Sequence, residues 1–138
     1  MGAEDHDDYP GEMKAWVEEL CTIAAARSAS SKSIKRLLES AGRTLIPRSE
    51  FMDATVDWFR MHPDDIDHWL EYSVDQRTSP SPYVRRMAAG DERLVYEVGF
   101  FDPDLGFTDV SRHSDGAQAV AEFLHREVNW ALRNQRVN

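Results

Sequence analysis

A chain of 138 residues is long enough for one core and short for two, and its composition of 41% hydrophobic and 30% charged residues, with 4 Trp, 4 Tyr and 6 Phe, excludes a disordered protein. The net charge of -9 and pI near 4.9 exclude sequence-independent nucleic-acid binding and disfavour an anionic membrane surface, because no run of Lys and Arg can displace counterions. The single cysteine, Cys21, rules out an internal disulfide, and no apolar stretch approaches the ~18 residues of a membrane-spanning helix.

Residues 1–8 hold four acids and nothing to bury, so they read as a mobile acidic tail ahead of one α+β domain over 9–138. They lack the basic and apolar regions of a secretory signal, which makes the cytoplasm the expected compartment. Arginine outnumbers lysine 13 to 3, a weak hint of a bacterial source. Met13, Trp16, Val17, Leu20 and Ala24 recur at helical spacing and predict an amphipathic helix from Gly11 to Ala26, with Cys21 beside its apolar face. After the break at Ser28 to Ser31, a cap at Ser31 or Ser33 opens a second helix with the stripe Ile34, Leu37, Leu38 and Ala41, and Gly42 suits its left-handed C-terminal position.

Beyond Pro47, Ser49 caps a third helix from Glu50 to Met61, whose apolar set (Phe51, Met52, Val56, Trp58, Phe59) is broad enough for contact on two sides. Pro63 with Asp64 and Asp65 is a helix-start signature, and Ile66, Trp69 and Leu70, with Val74 as a further candidate, give this fourth helix its buried side as far as Asp75. Gln76 to Pro82 predicts an extended, solvated connection. Tyr83 to Met87 is a short strand candidate, while Leu94 to Phe101 alternates cleanly as a strand. The turn Asp102-Pro103-Asp104-Leu105-Gly106 returns the chain into a strand from Phe107 to Arg112. Ser114 or Asp115 caps a last helix carrying the stripe Ala117, Val120, Ala121, Leu124, Val128, Ala131 and Leu132, flanked by Phe123 and Trp130. The expected fold is α+β: four N-terminal helices, then a small antiparallel sheet of two or three strands, then a C-terminal helix packed on it.

Functional residues are sought in the acids. Asp53, Asp57, Asp64, Asp65, Asp67, Glu71 and Asp75 share their stretch with one permanent base, Arg60. At helical pitch Asp53 and Asp57 fall on one face of the third helix, and Asp64, Asp67, Glu71 and Asp75 close to one face of the fourth. Such a face repels phosphate backbones and attracts cationic partners, with Trp58, Trp69 or Tyr72 at its edge as anchors or as core. Its bland counterpart is a solvated surface that keeps the protein soluble.

Asp64 and His68 are also four apart, the spacing at which two side chains ligate one metal ion, and a third ligand near His113 would complete a site. Helix-dipole acids with a neighbouring histidine explain the same pattern without a metal. The acids Asp102, Asp104 and Asp109 lack calcium-loop spacing, Cys21 has no activating neighbour, and neither dinucleotide nor P-loop glycine pattern occurs, so no cofactor is implied. Arg85 and Arg86 beside Tyr83 read as surface arginines paired with acids. The leading expectation is a small non-catalytic module that binds a basic protein, in the manner of a bacterial immunity protein or antitoxin. The alternatives are a metal-assisted hydrolase built on Asp64, His68 and a residue near His113, and a structural homodimer paired along the hairpin edge.

Overall fold

The computed structural model describes residues 11–25, 31–40, 48–75, 80–88 and 94–137. The expected mobile tail, the Gly42 helix end, the break at Pro47 and the connection through Ser79 lie outside these residues. Helices lead into a three-stranded antiparallel sheet, and a C-terminal helix follows it, an α+β arrangement. In chain order the elements are α1 (Gly11–Thr22), α2 (Ser31–Ser40), α3 (Arg48–Met61), α4 (Asp64–Asp75), β1 (Ser81–Ala88), β2 (Leu94–Asp102), β3 (Gly106–His113) and α5 (Gly116–Val137). No helix among the described residues is long and apolar enough to cross a membrane.

Local chemistry sets several boundaries. The α-helical part of α1 stops at Thr22, before the expected Ala26, and tightens into a 3-10 turn over Ile23–Ala25. The carbonyl of Cys21, near that end, accepts the indole N–H of Trp69 from α4 at 2.8 Å, which occupies a group that a finished helix leaves orphaned. At the other end of the chain, Asp115 Oδ1 accepts the amide of Ala117 at 3.0 Å and so caps α5. In the β2–β3 turn, Asp102 Oδ1 accepts the amides of Asp104 (2.7 Å) and Leu105 (3.2 Å), and Gly106 takes a φ of 84° that a side chain would resist.

The sheet is a meander in the order β1-β2-β3. Pairing runs the full length of β1, from Ser81 opposite Phe101 to Ala88 opposite Leu94. The strand therefore starts inside the expected solvated connection, and Pro82 is buried. One face carries Val84 and Val98 into the core, with Tyr96 packed against it and Phe100 edge-on to Trp130 of α5 at 5.0 Å. Gly99 is opposite a shift in the β2–β3 register, where an added Cβ would stand 2.7 Å from the Thr108 carbonyl and 2.9 Å from the Tyr83 ring.

The helix α5 lies between the sheet and the N-terminal helices, so its burial is wider than one stripe: Ala119 and Phe123 are buried together with Val120, Leu124 and Val128. Rings from α1, α3, α4 and α5 meet in this core, with Trp16 stacked on Phe51 and Trp69 against both Tyr72 and Phe123. The β1 edge is occupied by α4, whose buried Ser73 hydroxyl accepts the Val84 amide at 2.9 Å. On the β3 edge Asp109 adopts a φ of 54°, and its carbonyl accepts Arg126 Nη1 at 2.8 Å.

Candidate functional site

The helices α3 and α4 turn their apolar sides inward and leave Asp53, Asp57, Asp64, Asp67 and Glu71 exposed. The corner between them is fixed locally. His62 stacks on Trp58 with ring centroids 3.8 Å apart, and its amide donates to the Trp58 carbonyl at 2.9 Å. The Trp58 indole N–H donates to Asp65 Oδ2, and His68 Nδ1 is 3.1 Å from Asp65 Oδ1. Asp65 is thereby a structural tie at the corner.

Among the exposed acids, Asp67 meets Arg86 of β1 at 3.2 Å across a solvated gap. Asp53, Asp57, Asp64 and Glu71 have no ion-pair partner among the described residues. The side chain of Asp75 is outside the description. Two large apolar side chains are exposed on the same helices: Met61 at 75% in the α3–α4 corner and, against its expected place on the buried side of α4, Val74 at 59%.

Of the two readings of the aromatics, anchor or core, the structure gives the core. Trp69 and Tyr72 are buried and Trp58 packs against the core, because the inner faces of both helices need large side chains to reach α5 and α1. The expected metal set is not gathered. His68 turns to Asp65 instead of Asp64, His113 Nε2 is 3.1 Å from the Ser111 hydroxyl, and no group of three or more His, Cys, Asp or Glu among the described residues is placed to hold an ion. Cys21 is buried, and burial pushes its thiol well above the usual value, leaving an unreactive side chain.

Three carboxylates have the most strongly shaped surroundings. On the sheet face opposite Val98, the register sets Glu97 directly across from Arg85 on one side and Arg112 on the other. Glu97 is 2% exposed; its Oε2 accepts the Tyr83 hydroxyl at 2.5 Å and Arg85 Nη2 at 2.8 Å, while Arg112 Nη2 is 3.4 Å from Oε1. Burial alone would raise this carboxyl, but the tyrosine and the two guanidinium groups outweigh it and hold the group below its ordinary value. Arg85 also lies over the Phe107 ring, 4.1 Å from its centroid.

On α5, Glu122 accepts Arg48 Nη2 at 2.5 Å and Arg126 Nε at 2.9 Å, and those cations overcome the cost of burial to lower its carboxyl. His125 lies one turn from Asn129, against the Phe51 ring, and burial followed by the charge of Arg48 pulls its imidazole below the usual value. Glu127 is the exception. It is 4% exposed, the Tyr72 hydroxyl at 3.2 Å is its hydrogen-bond partner, and burial pushes the carboxyl up to about 7.

Compared with protein families, curated proteins and solved structures, this chain matches none. Helical and strand periodicity single out neither Glu97 nor Glu127. The signal for Glu127 is its position three residues after Leu124 and four before Ala131, inside the apolar stripe of α5. That for Glu97 is an acid in the middle of a strand whose neighbours supply arginines only after folding.

Proposed function

We propose that this chain is a small non-catalytic module that docks a basic protein partner through the outer faces of α3 and α4, as an inhibitor of a cationic toxin such as a nuclease would. The supporting observation is that Asp53, Asp57, Asp64 and Glu71 are exposed and have no ion-pair partner among the described residues, on a protein that otherwise pairs its acids repeatedly. Like charges at three- and four-residue spacing cost an isolated helix a few tenths of a kcal/mol per pair, roughly, so the arrangement is unfavourable for the helices themselves. It becomes favourable when cationic groups approach. Asp67 belongs to the face but is already shared with Arg86, and Asp75 extends the run of acids in sequence.

With Trp69 and Tyr72 buried, the apolar contacts fall to Met61 and Val74. An exposed flexible methionine in a charged rim suits a contact that must adapt to its partner. The test is paired affinity capture from the native host with wild-type protein and with the variant Asp53→Asn, Asp57→Asn, Asp64→Asn, Glu71→Gln as bait. A basic protein held by the wild type and lost by the variant is the expected result. Partners held equally by both baits would refute the proposal.

A further inference from the structure

The helix α4 is seated on α5 through an aromatic cluster, Tyr72 and Trp69 lying 6.5 Å and 6.0 Å from the Phe123 ring. Within this interface Glu127 of α5 points its carboxyl at the Tyr72 hydroxyl. Among the described residues no cation offsets it. On α5 itself Arg126 is committed to Glu122 and to the Asp109 carbonyl, and His125 adjoins Asn129. From α3, Arg48 goes to Glu122 and Arg60 to Asp115; from β1, Arg85 goes to Glu97 and Arg86 to Asp67; on α4, Asp65 is held by Trp58 and His68. On α2, Arg36 and Glu39 are exposed. Among the described residues Tyr72 is the one titratable group that bonds Glu127, and burial pushes its phenol upward too, so it remains a neutral donor.

A carboxylate in such a place loses its hydration and receives one phenolic hydrogen bond in return, whereas the neutral acid is tolerated there. From this geometry we propose that the seat of α4 on α5 is proton-linked through Glu127, closing on the neutral carboxylic acid and loosening when the carboxylate forms. The inference is independent of what the outer face of α4 binds.

The sign follows from linkage. A carboxyl raised in the folded state contributes stability that is complete below its unfolded value, near 4.5, and that is lost as pH rises through about 7. His125, held low, acts in the opposite sense as pH falls below its unfolded value, and Cys21 acts only in the alkaline range, so both are removed by comparing variants at the same pH. The experiment is urea unfolding of the full chain between pH 6.0 and pH 8.0, for wild type and Glu127→Gln, with exchange protection measured at the α4 amides. The folded-to-unfolded ratio of Glu127→Gln is expected to gain about tenfold on the wild type across this interval, with wild-type α4 protection falling selectively. A ratio that stays constant would overturn the proposal. Should Glu127→Gln fail to fold, the side-chain carboxyl of Glu127 in the wild type is followed by NMR: a midpoint near neutrality supports the linkage, and one below pH 5.5 overturns it.

Discussion

Glu97 shows how one residue joins strands that the sequence keeps apart. Its carboxylate is buried yet has four polar contacts from Tyr83, Arg85 and Arg112, and removing its charge would leave two guanidinium groups facing each other around a neutral amide. Glu97→Gln is expected to destabilise the fold by about 3 kcal/mol or more, measured by urea unfolding at pH 7. Because its folded value is depressed, its contribution is present above the unfolded value and is lost as pH falls through the folded one. The wild type should therefore lose stability on acidification below about pH 4.5 more steeply than Glu97→Gln. The neighbouring Gly99 has no room for a side chain, since the Thr108 carbonyl is backbone and the Tyr83 ring is fixed by its bond to Glu97. Gly99→Ala should cost about 1–3 kcal/mol by the same assay.

At the scale of elements, the helices were legible because their apolar residues repeat every three or four positions; Asp115 caps α5 as expected, whereas the expected cap Ser49 is the second residue of α3, which begins at Arg48. Asp115 accepts the Ala117 amide and is paired with Arg60 from the end of α3, whose bond holds its carboxyl low. Asp115→Ala should cost about 1 kcal/mol and detach the end of α3 from the start of α5, seen as faster exchange in both. The strand β1 was only half legible. Its first residues look like a proline-rich linker, and the groups that satisfy it, Ser73 for the Val84 amide and Glu97 for Arg85, come from other elements. Sequence periodicity carries no trace of such long-range partners. The wide burial of α5 was legible in part, in its apolar stripe with Phe123 and Trp130 on the flank, while the burial of Ala119 depends on where the other elements lie. Both sheet edges are altered as well, β1 by α4 and β3 by the backbone turn at Asp109, a recurrent defence against edge pairing.

Across the whole molecule the charge of -9 is divided between two uses. Some acids are paired with the chain's own arginines, at the buried Glu97 and Glu122 and at the half-exposed Asp115, while Asp53, Asp57, Asp64 and Glu71 are exposed with no ion-pair partner among the described residues. The exposure of these four was readable from helical pitch; the capture of Asp67 by Arg86 and the burial of Trp69 and Tyr72 were not, since each depends on where β1 and α5 lie. Neutralising the four should leave unfolding free energy within about 0.5 kcal/mol of wild type, because exposed positions away from buried features tolerate substitution. The most direct measurement is the association rate of the captured basic partner, followed by stopped flow from about 20 to 300 mM NaCl for the wild type and the fourfold variant. The proposed docking requires a wild-type rate that falls steeply with salt and a variant that starts at least about tenfold slower with a flattened slope. Identical rates and identical slopes for the two proteins would contradict it.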